Sequence, residues 1–140
     1  MRPRIAIPFA IVLVLGAASR SALAADEVAP PEVAAQGWLA LVDQSRLADA
    51  WKAGGDLLRK DTTEPEWTEG MQRLREKYGA AESRQIVSRD YHRQLAGAPD
   101  GTYFTMRYRT HFSSAGDQLE LVTLTAAPGG YRVIGYGIKQ

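Results

Sequence analysis

The feature that most constrains the fold of this 140-residue chain is a change of period at Gly79. Before it, apolar residues recur at helical spacing; after it, apolar and polar residues alternate in runs broken by turn clusters. A chain that places its helices first and its strands last, with short turns between the strands, has to cover one face of an antiparallel sheet with those helices. That is an α+β architecture.

The helical half reads as three segments. Pro31 suits a helix start because it has no N–H to leave unpaired, and Trp38, Leu41 and Val42 then fall on one stripe. A second pattern carries Leu47, Ala50, Trp51, Leu57 and Leu58. Gly54-Gly55 interrupts it at a cost of about 1 kcal/mol per glycine relative to alanine, which predicts a kink, a break or a close helix contact. The third helix has every signal. Thr63 and Glu66 form a capping box, and Glu64 and Glu66 face the positive end of the helix dipole. Trp67, Met71, Leu74 and Tyr78 make the stripe, Arg73, Arg75 and Lys77 occupy the end, and Gly79 stops it.

Glu82 to Leu95, Thr102 to Phe112, Leu119 to Ala126 and Tyr131 to Ile138 read as four strands. The turns between them lie at Gly97 to Gly101, Ser113 to Asp117 and Pro128 to Gly130. Such short connections predict a four-stranded antiparallel meander. In the second strand Phe104, Met106, Tyr108 and Phe112 point to the core, opposite the helical stripes of Trp38, Trp51, Trp67 and Met71. Tyr103, Thr105, Arg107, Arg109 and His111 point the other way. Gly135 and Gly137 leave room in the last strand for a bulge, a covering helix or the floor of a small-ligand pocket.

The first two dozen residues give an address. Arg2 and Arg4 precede an apolar run from Ile5 to Ala18, and Ala22-Leu23-Ala24 supplies small residues for a signal peptidase. The run is about 14 residues long, short of the roughly 20 that a membrane-spanning helix needs. The expected organisation is a secretory signal peptide over 1–24, a flexible leader over 25–31 and a single α+β domain over 32–140. Location is then periplasmic or secreted, with no stable membrane anchor after cleavage near Ala24. Cleavage removes Arg2, Arg4 and Arg20, so 17 basic residues become 14 against 16 acidic ones and the formal charge passes from +1 to −2. A slightly acidic domain gives no electrostatic case for nucleic acid. The chain has no cysteine, which removes disulfides, thiolate chemistry and a lipidated cysteine.

Little catalytic chemistry is legible. With the first hairpin centred near Pro99, His111 lies opposite Val87, and His92 and His111 are about 16 Å apart, too far for one metal. Asp90 and His92 could orient one another, but at i and i+2 on a strand they read as a solvated face. There is no Gly-x-Ser-x-Gly elbow, no phosphate-cradling glycine loop and no cofactor fingerprint. The expectation is no catalytic residue, no metal and no cofactor. The binding candidates are Tyr103, Arg107, Arg109 and His111, since aromatic and guanidinium groups along one strand face can hold carboxylates, sugars or protein. A charge difference between the halves, roughly −4 over 25–80 and +2 over 81–140, could orient an acidic partner or a second copy.

Trp38-Leu39-Ala40-Leu41-Val42-Asp43, Trp51, Gly97-Ala98-Pro99-Asp100-Gly101-x-Tyr103, Glu120-x-Val122-Thr123 and Tyr131-Arg132-Val133-Ile134-Gly135-Tyr136 together resemble the exported bacterial domain of unknown function numbered four-zero-one-nine. That resemblance implies export and a compact α+β domain without supplying catalytic residues. The order of elements also resembles the cystatin-like and nuclear-transport-factor-like (NTF2-like) folds, whose enzymes work through polar groups lining a cone. No carboxylate or histidine is expected on the inward faces here, with Thr123, Thr125 and Tyr108 the nearest candidates. The leading expectation is a non-enzymatic module that binds a protein or small ligand in the cell envelope. The alternatives are a pocket enzyme of hydrolase or isomerase type, and a homodimer joined through the sheet.

Overall fold

The computed structural model describes residues 27–140, so the signal segment expected over 1–24 lies outside the described residues. Four helices precede four strands: α1 Pro31–Asp43, α2 Leu47–Ala53, α3 Asp56–Lys60, α4 Glu64–Tyr78, β1 Ala81–His92, β2 Tyr103–Phe112, β3 Gly116–Ala127 and β4 Gly130–Lys139. The strands pair antiparallel in chain order, β1-β2-β3-β4. The helices lie on one face of this meander, the α+β arrangement expected from the change of period. Among the described residues no helix is long and apolar enough to cross a membrane.

Each helix stops for a local reason. The second expected helix is two, because Gly54 and Gly55 adopt extended backbone between α2 and α3. The Gly55 N–H donates to the Val133 carbonyl at 2.8 Å, and a Cβ on Gly55 would stand 2.8 Å from Ile134 Cγ2. The expected close contact is therefore with β4 rather than with another helix, and only glycine permits it. Thr63 and Glu66 form the full capping box of α4. Gly79, at φ 81 and ψ −166, ends that helix in a region essentially closed to side chains. There the Ser114 N–H donates to the Tyr78 carbonyl at 3.0 Å and the Ala80 N–H to Ser113 Oγ at 2.9 Å, tying the end of α4 to the β2–β3 turn.

The helical stripes meet the sheet in one core. Ala35, Trp38, Leu39 and Val42 of α1, Leu47 and Ala50 of α2, Leu58 of α3, and Trp67 and Met71 of α4 are buried against Met106, Tyr108, Val122, Leu124 and Val133. Trp38 and Trp67 meet edge to face at 5.9 Å, and the Trp38 indole N–H donates to the Ala50 carbonyl at 2.8 Å. Burying a large apolar side chain contributes about 1.5–3 kcal/mol; Trp38, Trp67 and Met71 are buried as the spacing predicts, whereas Trp51 is half-buried at the margin of the core. Under α4, a recess beside Met71, Tyr78 and Phe112 holds about 10 Å³, no more than one water.

The register departs from expectation. His92 pairs with Tyr103 and His111 with Ser83, the ladder slipping by one residue between Ile86 and Ser88 and again between Ala81 and Ser83. The hairpin thus turns between Gly97 and Ala98, and Val87 and Glu82 are bulged residues. The two histidines stand eight strand positions apart, about 26 Å at ~3.3 Å per residue. A third bulge, at Ile134, sits where Gly55 approaches β4.

Candidate functional site

The outward strip expected on β2 divides. Arg109 and His111 are exposed and Arg107 half-buried, whereas Tyr103 is only 2 % exposed, its hydroxyl donating to the Pro99 carbonyl under the β1–β2 loop. Tyr103 is thus absent from the free surface. Arg107 is spent on Asp90, which also accepts from Ser88, so Asp90 orients no histidine. His111 Nδ1 lies 2.7 Å from Asp117 and its Nε2 3.7 Å from Glu82. The strip is a set of paired surface charges, with Arg109 the exception. Gly135 and Gly137 share this outward face, opposite Thr123 and Leu121, so none of the four described helices covers them and they floor no pocket beneath those helices.

The inward face holds what the sequence reading missed. Glu120 points into the core, 1 % exposed, because Glu120, Val122 and Leu124 share one parity on β3; Thr123 and Thr125 face outward instead. The alternation of Val122 and Leu124 against Thr123 and Thr125 was the available signal. Glu120 Oε1 accepts from Arg84 Nε at 2.5 Å and from Thr110 at 2.9 Å, and Oε2 from Arg84 at 3.2 Å and the Tyr136 hydroxyl at 2.5 Å. Arg84 also forks onto Asp43 of α1 at 2.8 and 3.2 Å. Burial disfavours the Arg84 charge, but hydrogen bonds to Asp43 and Glu120, with their charges, outweigh it and raise its pKa above the ordinary value. The Tyr136 hydroxyl is pushed well up, first by burial and then by the Glu120 carboxylate.

This cluster has the perturbed titration that marks functional sites, yet it lacks a free position. Both Glu120 oxygens are occupied by donors of the scaffold, and Arg84 joins β1, β3 and α1. A general base needs a lone pair within reach of a substrate proton, and each oxygen here already accepts twice. The nearby Tyr108 hydroxyl is buried without a hydrogen-bond partner among the described residues, and burial raises its pKa. It borders a shallow groove of about 480 Å³ between α1 and β1.

A larger groove, about 860 Å³, lies along another face of α1. It runs from Ala34, Gly37, Trp38 and Leu41 past the Gly54-Gly55 junction to Tyr131, Arg132 and the β3–β4 turn, and reaches Pro99 and Tyr103. Gly37 is exposed on α1, with no atom of the described residues within 4 Å of the point a Cβ would occupy. Three cations, Lys52, Arg59 and Arg132, line this groove. Arg59 donates to the Lys52 carbonyl at 2.8 Å, the Gly54 carbonyl at 2.7 Å and Asp56 at 2.7 Å. The Arg132 side chain departs beside Gly55, its Cβ 3.3 Å from where a Gly55 Cβ would stand. Lys52 and Arg132 have no carboxylate within 4.0 Å among the described residues. Among those residues no group of three His, Cys, Asp or Glu is placed to hold a metal ion.

Residues 34–136 match the model of a family described as a protein of unknown function (DUF4019). No curated protein matches the chain. Among solved structures, that of Aln2 from a Streptomyces species is similar at 12 % identity and a TM-score of 0.44, covering 81 % of this chain and 94 % of that one.

Proposed function

The chain belongs to this DUF4019 family, and we propose that it is an exported, non-enzymatic binding module of the cell envelope that holds a small ligand in the groove between α1, the Gly54-Gly55 junction and the β3–β4 turn. The observation that carries the reading is the contrast between a filled interior and an open end. The space beneath the helices is occupied by Trp38, Trp67, Met71 and their sheet partners, and the buried carboxylate of Glu120 is satisfied on both oxygens. The open groove has the volume of small-molecule sites, roughly 300–1,000 Å³. Export rests on the basic start, short apolar run and small-residue site of the first 24 residues.

Expression from the complete sequence, followed by mass spectrometry of small molecules released on denaturation, tests the binding role. Gly37→Trp places an indole in the groove where the backbone has open space. The wild type is expected to release a molecule that the variant lacks, recovered chemically unchanged after incubation. Equal small-molecule content in the two proteins, or turnover of the bound molecule, contradicts the proposal. N-terminal sequencing checks export, with Ala25 the expected first residue and Met1 the contrary result.

A further inference from the structure

We infer that the groove selects a carboxylate carried on an apolar body, an aromatic or aliphatic acid; this rests on the binding role proposed above. The inference comes from how the groove's charges are placed. Its α1 side is apolar, with Leu41, Ala34 and the edge of Trp38, and Tyr131 faces it from β4. Its rim carries Lys52 and Arg59 at the Gly54-Gly55 junction and Arg132 beside the β3–β4 turn, with Asp56 the one carboxylate that lines it among the described residues. Asp56 pairs with Arg59 at 2.7 Å, so among the described residues Lys52 and Arg132 are the rim charges without an acidic partner.

The cations differ in what they have left to give. The Arg59 guanidinium is held by two backbone carbonyls and Asp56; its role is to fix the junction and contribute field. Among the described residues Arg132 makes one side-chain bond, to the Tyr131 carbonyl at 3.2 Å, leaving the rest of its donor fork for a planar anion, which guanidinium binds in bidentate fashion. Lys52 is an exposed ammonium on the last turn of α2. The rim thus has a net excess of two positive charges in a domain whose helical half is acidic, so an anion is drawn to this end of the molecule and repelled from the rest of that half. An apolar wall beside a cationic rim matches a molecule with a hydrophobic body and one carboxylate at its end.

Calorimetric titration tests this with 2-naphthoate and laurate as aromatic and aliphatic acids, and 2-naphthamide as the neutral isostere. At least one acid is expected to bind ten times more tightly than the amide. Lys52→Glu with Arg132→Glu is expected to weaken that acid at least tenfold, and Gly37→Trp to abolish binding; circular dichroism and unfolding verify that each variant folds. Which acid binds decides between an aromatic and an aliphatic body. Equal binding of naphthoate and naphthamide, or acid binding that survives the double charge reversal, overturns the inference while leaving the binding role intact. Absence of binding by either acid overturns it as well, and the molecules released from the wild type then decide separately whether the groove holds a ligand of other chemistry.

Discussion

Two polar regions border α1, and they differ in what their charges are committed to. At one of them Asp43, Arg84, Glu120, Thr110 and Tyr136 form a closed set in which each carboxylate oxygen of Glu120 has two donors. At the other, Lys52 and Arg132 stand at a groove with no carboxylate within ion-pair distance among the described residues. Perturbed titration alone would have pointed to the first region. Hydrogen-bond accounting points to the second, because a charge whose bonds are filled by the scaffold has little left for a ligand, whereas a spare donor fork beside open space does.

The largest expected effect breaks the closed region. Glu120→Ala leaves Arg84 partly buried with one acidic partner lost, and loss of one side of a buried pair costs about 3–5 kcal/mol. Urea unfolding measures it; a change under about 1 kcal/mol, the size of an ordinary surface pair, would show that the cluster does not hold the fold.

Alkaline pH gives the next effect. The folded-state pKa of Tyr136 is raised by burial and then by Glu120, while the unfolded chain ionises near the ordinary value of about 10. The unfolded state therefore loses its proton first, and stability, unaffected at pH 7, falls as pH rises above about 10, by about 1.4 kcal/mol per pH unit. Tyr108, also raised by burial, adds in the same direction. Unfolding at pH 9, 10 and 11 should show a shallower decline in Tyr136→Phe than in wild type; identical slopes would contradict the assignment.

Smaller effects belong to the open region. Gly37→Ala replaces an exposed glycine in a helix with no atom of the described residues within 4 Å of the new Cβ, and should stabilise by up to about 1 kcal/mol without losing ligand. Lys52→Ala and Arg132→Ala, both at exposed positions, should each change stability by no more than about 0.5 kcal/mol. A large loss from either would mean that the groove cations are structural like those around Glu120.

Local signals were legible in the sequence and long-range ones were not. The capping box at Thr63 and Glu66, the stripe from Trp67 to Tyr78 and the stop at Gly79 all lie within one helix, and each forms as its spacing predicts. The register failed mainly because the hairpin turns between Gly97 and Ala98 instead of near Pro99, which moves every pairing by three residues; the bulge at Val87, one extra residue with no distinctive side chain, moves those beyond it by one more. Glu120 was overlooked although the alternation of its own strand placed it inward; a lone carboxylate in a core is unfavourable until Arg84, 36 residues earlier, is known to reach it. The groove could not be read at all. It is assembled from Gly37, Gly54-Gly55 and Arg132, and only the fold brings them together. The strip of Tyr103, Arg107, Arg109 and His111 does lie along one strand, but three of its four members are engaged with neighbours that alternation does not disclose.

The central claim is that the open groove, not the buried cluster or the outward strand face, is where this protein binds. Titrating laurate and 2-naphthoate into the isotope-labelled protein while recording amide and indole resonances tests it directly. Shifts confined to Ala34, Gly37, the Trp38 indole, Gly54, Gly55 and Arg132 are the predicted result. Shifts centred on Arg107, Arg109 and His111, or on Arg84, Thr110 and Glu120, would contradict it.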